Sequence, residues 1–355
     1  MPVGGRHRGE ETITLVHDRA HRAKGRSATL GSRATLLALA FSLVLVPGLV
    51  SAQPYPVAIE HKYGTLVLHE RPRRVVTIGF SEQDPVLALG TVPVAIRYWF
   101  GPEAGWPWAK DRLGSAQPEV LHMPFGELDM ERIASLRPDL IVATHSGINK
   151  EEYDILSRIA PTLAQSAAFP DFGMPWEEQT LFIGRALGKE QEAKGLIAQV
   201  EEAIADARRA HQQFGRATIA WISPAEGQGQ YWAVGPNTPP MRFLAALGFR
   251  LPDQLAQVIG TRDSAPISAE QLHLADADVI IFQVDSDAEK EAFLGDPIFS
   301  RLAAVRQKRL VLFVGLDDPV YGALSYSTVL SLPYALEHLV PRLADALAGR
   351  GEPSH

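Results

Sequence analysis

Asp129-Met-Glu-Arg-Ile-Ala-Ser-Leu-Arg-Pro-Asp139-Leu-Ile-Val142 lies without a gap over Ser268-Ala-Glu-Gln-Leu-His-Leu-Ala-Asp-Ala-Asp278-Val-Ile-Ile281, 139 residues further along the chain. In both stretches a capping residue opens a short helix, a Glu stands two positions in, and an Asp immediately precedes an apolar run that reads as a strand. The echo predicts two halves built to one plan. Glu131 and Glu270 then occupy equivalent places, each in the first turn of a surface helix. A carboxylate there meets the positive end of the helix dipole, worth about 0.3 to 1 kcal/mol, and Ser268 with Gln271 would add a capping box. That local role competes with an external one, in which two symmetric carboxylates dock onto two symmetric Arg pockets of a dimeric partner.

Working outward, short apolar runs alternate with helical stretches on both sides of the chain's middle. Arg74 to Ile78 reads as a buried strand, Ser81 to Gly90 as a capped helix, and Val92 to Ile96 as a second strand. Asp129 to Leu136 and Leu140 to Ala143 add a helix and a strand. This spacing suits parallel sheets, because a parallel pair needs a crossover that a two-residue turn cannot supply. Thr218 to Ile222 begins a second alternation, through Pro240 to Leu247 and Ala269 to Leu272 as helices and Val279 to Gln283 and Leu310 to Val314 as strands, to a closing helix in Val329 to Leu347.

Between the two lies a stretch of different character. Residues 189 to 213 contain no Pro, and Leu196, Ile197, Val200, Ala203, Ile204 and Ala207 recur at three- and four-residue steps, one apolar stripe along one helix. At 1.5 Å per residue it would extend about 38 Å. The expected fold class is therefore α/β: two α/β lobes with mainly parallel sheets, 53–188 and 214–355, joined by a single long α-helix over 189–213.

The chain has 355 residues, net charge -7 and no cysteine. The acidic balance argues against nucleic acid as a partner. The absence of Cys removes thiolate metal sites, thiol nucleophiles and a lipid-modified N-terminal cysteine. Residues 1 to 33 carry a net +4, Leu36 to Val46 are free of charge, and Pro47-Gly48 leads to Val50-Ser51-Ala52. This reads as a secretory signal peptide over 1–52, since about 20 apolar residues are needed to span a bilayer and the run is broken well before that. Cleavage after Ala52 would leave 303 residues with net charge -11, exported to the periplasm.

The export signal, Arg73-Arg74-Val75-Val76, Leu87-Ala88-Leu89-Gly90, Glu131 to Ile141, the long helix and Ile267-Ser-Ala-Glu270 together resemble the helical-backbone, or class III, periplasmic binding proteins of ABC importers. Trp106-Pro107-Trp108, Ser146-Gly147, Glu152-Tyr153, Ile159-Ala-Pro-Thr162, Pro175-Trp176, Gly184-Arg-Ala-Leu-Gly188 and Ser331-Leu-Pro-Tyr334 are similar to the iron-siderophore group within them. Each motif alone is weak; their order over residues 57 to 347 is specific. The resemblance implies a cleft between two lobes, a ferric siderophore as ligand with no resident cofactor or metal, and an ABC-transporter permease dimer contacted through Glu131 and Glu270. It also implies a protein that acts as a monomer.

Loops after the carboxyl ends of strands form the crevice in open α/β sheets. All six Trp lie in or beside such segments. Because sites for organic ligands are apolar and aromatic with a few placed polar groups, the expected ligand-binding residues are Tyr98, Trp99, Trp108, Trp176, Trp221, Trp232, Tyr321 and Tyr326, with His145. Several could instead be core residues, Trp221 above all because it lies on an expected strand. Arg97 and Arg242 are the candidates for paired hydrogen bonds to a chelate oxygen. Haem or cobalamin in the same fold is an alternative ligand, and a bare metal a weaker one, because the His residues are scattered. No nucleophile-elbow, Walker, complete Gly-x-Gly-x-x-Gly or His-Glu-x-x-His motif is present, so the chain is not expected to be an enzyme.

Overall fold

The computed structural model describes residues 55–103, 105–225 and 229–351. The expected signal segment lies outside them. A hairpin of β1 (Val57–His61) and β2 (Gly64–Leu68) leads into the first lobe. Its sheet holds β3 (Val75–Thr77), β4 (Ala95–Arg97), β5 (Glu119–Leu121), β6 (Leu140–Ala143) and β7 (Thr162–Ala164). The spatial order is β5-β4-β3-β6-β7, with every pair parallel. Helices α1 (Gln83–Ala88), α2 (Pro107–Leu113), α3 (Met130–Ser135) and α4 (Lys150–Ile159) make the crossovers, and α5 (Trp176–Ala186) follows β7.

The second sheet holds β8 (Ile219–Pro224), β9 (Gln230–Val234), β10 (Ser264–Ser268), β11 (Val279–Val284) and β12 (Leu310–Val314) in the order β10-β9-β8-β11-β12. The two sheets thus have one strand plan. The second is mixed, however: β8, β11 and β12 are parallel, whereas β9 runs antiparallel to both β8 and β10. Only residues 225–229 separate β8 from β9, too few for the crossover that a parallel pair requires. Around this sheet stand α7 (Pro239–Ala246), α8 (Asp253–Ile259), α9 (Asp287–Leu294), α10 (Ala303–Arg306), α11 (Pro319–Tyr326) and α12 (Ser331–Leu347), with a 3-10 turn at Ala269–Ala275.

Both sheets are buried on both faces, as alternation along the strands shows. Val75, Leu140 and Val142 enter one core and Val76 and Ile141 another. In the second lobe Ile219, Trp221, Val279 and Ile281 face one core while Ala220, Ile222, Ile280 and Phe282 face the other. Each lobe is therefore a three-layer sandwich, which is why its strands read as continuous apolar runs.

The internal echo acquires a structural meaning in β6 and β11, the fourth strands of the two sheets. The Asp139 carboxylate accepts the backbone N–H groups of Arg73 and Arg74, just before β3, at 2.8 and 2.7 Å. The Asp278 carboxylate accepts the N–H of Thr218, just before β8, at 2.9 Å. Each Asp ties the start of its own strand to the start of the neighbouring one, filling donors that no ladder partner meets. Asp129 and Ser268 cap the preceding helical turns by accepting from the N–H groups of Arg132 and Gln271.

One helix, α6 (Glu190–Ala210), connects the lobes and measures about 32 Å along its axis. It is shorter than the 189–213 span expected because Gln212–Arg216 tightens into a 3-10 turn. Its stripe is shared: Ala193 belongs to a core of the first lobe, Val200 and Ile204 to one of the second, and Leu196 packs against both. That second-lobe core also takes in Ala88 of α1, with Trp108 and Trp176 packed against it.

Candidate ligand-binding site

Parallel strands that end together gather the side chains of their outgoing loops along one rim. On the first lobe that rim is aromatic. Phe80 follows β3, Trp99 follows β4, Phe125 follows β5 and Phe172 follows β7. Phe80 stands at the centre, 5.7 Å from Trp99, 6.5 Å from Phe125 and 6.2 Å from Phe172, ring centre to ring centre. His145, after β6, meets Phe172 edge-on at 5.2 Å. Phe172 has φ +61°, costly for a residue with a Cβ. Gly147, at φ +66°, makes room for it, because a Cβ there would overlap the Phe172 ring. Phe125 remains 64% exposed, and on the second lobe Trp232 in β9 and Leu316 after β12 are each 43% exposed. Large apolar groups left open to solvent are therefore present on the rims of both sheets.

Behind the first rim is a buried polar network. Glu82 is fully buried, and its carboxylate accepts the N–H groups of His145 at 2.7 Å and Ser81 at 3.3 Å. Burial pushes its pKa up to about 7, opposed by those hydrogen bonds and by the charge of Arg97. Gly79 is required beside it, since a Cβ would overlap the Glu82 carboxylate. The His145 ring lies 3.0 Å from the Ser81 hydroxyl, which also accepts from Gln179 at 3.3 Å. Burial brings the His145 pKa down to about 4, so its ring is neutral at pH 7.

The two arginines are turned to the protein. Arg97 is 2% exposed; its guanidinium donates to the carbonyls of Met123 (2.7 Å), Ile78 (3.1 Å) and Pro124, and its carbon lies 4.5 Å from the centre of the Phe80 ring. It braces the loops and the central ring of the wall. Arg242 of α7 donates to the Gly173 carbonyl of the other lobe at 2.9 Å, and Glu177 and Asp263 face its charge.

The remaining rings divide into groups. Trp106 and Trp108 stack at 5.0 Å, and Tyr326 of the second lobe stands against both, as well as against Trp99 and Phe100. Trp108 donates to Asp84 at 2.9 Å, and Thr328 donates to the same carboxylate at 2.6 Å, so Asp84 ties the lobes together. Burial raises the Asp84 pKa to about 6. Trp108 is thus a lobe-to-lobe contact. Trp221 is 6% exposed within the second-lobe core and edge-on to Tyr321. Trp176, opening α5, packs onto that core from the first lobe.

Tyr98, Trp99, Trp106 and Tyr326, with Arg97 at their side, line a cavity of about 670 Å³ between α1, β4 and α2. It falls within the range of about 300 to 1,000 Å³ typical of organic-ligand sites. Trp99 belongs to both this cavity and the Phe80 wall. Sequence reasoning missed Phe80, Phe125 and Phe172, which a search for aromatic residues beside Gly in loops would have found, in Gly79-Phe80, Phe125-Gly126 and Phe172-Gly173.

Glu131 and Glu270 lie just beyond β5 and β10, the corresponding edge strands of the two sheets. Both are exposed, and neither carboxylate has a hydrogen bond or ion pair among the described residues. Among those residues no three His, Asp or Glu converge as a metal site, and no helix is long and apolar enough to cross a membrane.

Two α/β sandwiches of one strand plan, one connecting helix and an aromatic rim beside the junction define a class of binding protein rather than an enzyme. The sequence matches the family described as "Periplasmic binding protein" over residues 103–313, and the chain belongs to that family. A periplasmic solute binding protein from Mycobacterium smegmatis has 35% identical sequence and a TM-score of 0.73, covering 82% of this chain and 98% of its own. The iron-uptake protein PiaA of Streptococcus pneumoniae, solved in complex with ferrichrome, is 27% identical with a TM-score of 0.72, covering 82% of this chain and 99% of its own. The Fe(3+) dicitrate-binding periplasmic protein FecB of Escherichia coli is 24% identical over 279 residues, 77% of this chain and 87% of FecB.

Proposed function

We propose that this protein is the extracytoplasmic receptor of an ABC importer, capturing a ferric siderophore against the aromatic rim between its lobes and delivering it unchanged to a permease dimer. The carrying observation is the wall of Phe80, Trp99, Phe125 and Phe172, part buried and part open, at the carboxyl ends of the first-lobe strands. Such a wall suits a bulky organic complex whose chelator already surrounds the metal, and the relatives that bind ferrichrome and Fe(3+) dicitrate support iron as the cargo. Tyr98, Tyr321, Tyr326, Trp176 and Trp232 complete the proposed surroundings of the ligand, with His145 as a neutral hydrogen-bonding group. Glu131 and Glu270 are the proposed permease contacts. Removal of a leader over 1–52 and action as a monomer in the periplasm are part of the same proposal.

Fluorescence quenching of the protein's tryptophans by ferric hydroxamates, ferric catecholates, haem, cobalamin and free Fe(III) tests this reading. Saturable, stoichiometric quenching by a ferric chelate is expected. Saturation by haem or cobalamin alone would replace the siderophore with a planar macrocycle in the same fold.

A further inference from the structure

The loops that leave the carboxyl ends of the rim strands have a one-sided charge. Among the described residues, 78–82, 98–103, 105–106, 122–129, 144–149 and 165–175 on the first lobe, and 225, 229, 285–286 and 315–318 on the second, contain no Lys and no Arg. They do contain Asp and Glu. Glu103, Glu127, Asp285 and Asp317 are all exposed, and among the described residues only Glu103 stands beside a basic side chain, 3.2 Å from the His122 ring. Asp285 is close enough to Tyr321 to act on its hydroxyl.

Most cations near these loops are engaged within the protein: Lys62 pairs with Asp171 and Arg342 with Asp318, whereas Lys110 of α2, at the edge of the cavity, stands exposed. Arg97 is bonded to three carbonyls, covered by Phe80, and faced by Glu82 and Glu152. Arg242 holds the Gly173 carbonyl and is faced by Glu177 and Asp263. A polyanion arriving at the rim would find aromatic faces, which repel negative charge, and carboxylates. A desolvated anion without a partner is costly to bury. An uncharged complex meets none of these penalties, and a cationic one gains from both the ring faces and the carboxylates.

We propose that the chelate this protein selects is neutral or positively charged overall, the trihydroxamate class of ferric complex, and that polyanionic catecholate and citrate complexes are excluded by the charge of the rim loops. Three hydroxamates balance Fe(III), whereas three catecholates leave a net charge of about -3, so the two classes differ in charge at similar size. The inference rests on the siderophore reading above and narrows it.

The test is a tryptophan-quenching titration with ferrichrome (neutral), ferrioxamine B (cationic), ferric enterobactin (tricatecholate) and ferric citrate, at 20 mM and 500 mM NaCl. Ferrichrome or ferrioxamine B should bind at least 100-fold more tightly than ferric enterobactin at low salt. That gap should narrow at high salt, because screening weakens repulsion between partly exposed charges. The variant Asp317→Lys should narrow it further, by about ten-fold at low salt, through tighter ferric enterobactin binding. Equal or tighter binding of an anionic chelate overturns the charge assignment while leaving the siderophore function standing, as does a gap indifferent to both salt and Asp317→Lys. No binding of any ferric chelate overturns the function and this inference together.

Discussion

Glu82 and Asp84 are two positions apart, both buried, and both raised in pKa by that burial, to about 7 and about 6. The folded protein therefore holds protons that the unfolded chain has already released, and between about pH 4.5 and 7 both groups weaken the fold as pH rises. Their stability contribution is complete at the acidic end of that window. His145 works in the opposite sense: its lowered pKa makes the fold lose stability as pH falls from about 6.5 toward 4. Glu82→Gln removes one contributor with little change of shape. Thermal unfolding of Glu82→Gln and the parent should converge near pH 5, with the variant gaining on the order of 2 to 3 kcal/mol over the parent by pH 7.5. Parallel curves across that range would mean that Glu82 ionises normally in the fold. Neither acid was legible as buried in the sequence, where Ser81 to Asp84 reads as an ordinary polar helix start. Only packing of α1 under the second lobe takes Asp84 from water. For the same reason the packing of Trp108 and Trp221 was not legible: composition marks a large ring, while burial depends on contacts distant in the chain.

Among the elements, the strands most faithful to their sequence reading are β6 and β12, which match the expected bounds at both ends. Both are apolar runs buried on two faces and closed by a polar residue or Gly, so a local signal suffices. β9 and β10 were not legible. Gln230–Val234 alternates exposed and buried residues over only 5 positions, and β10 contains Pro266, which demotes a strand in any local reading. The repeat signal proved stronger than its residues suggested, because Asp139 and Asp278 fasten paired strand starts. Asp139→Ala should leave the N–H groups of Arg73 and Arg74 without their carboxylate and lower unfolding free energy by about 1.5 to 3 kcal/mol, read from urea midpoints at constant slope. A loss below about 0.5 kcal/mol would show that water replaces the carboxylate there.

At the scale of the whole molecule, the two lobes share a core along α6 and a buried hydrogen-bonded junction at Asp84, Trp108 and Thr328. Glu131 and Glu270 stand on opposite lobes with their carboxylates unengaged among the described residues. Glu131→Ala and Glu270→Ala should each impair chelate uptake by cells while leaving the affinity of the purified protein within about two-fold, since neither side chain touches the rim wall. A matching fall in affinity would move these residues from transporter contact to ligand site or fold. The shared stripe of α6 has a consequence for that encounter. A helix embedded in both halves sets the gap between the two acidic tips much as a caliper's locked jaws set a width. On the docking proposed for Glu131 and Glu270, a permease would gauge this protein by spacing as well as by charge, and turn away receptors whose tips stand closer together or farther apart.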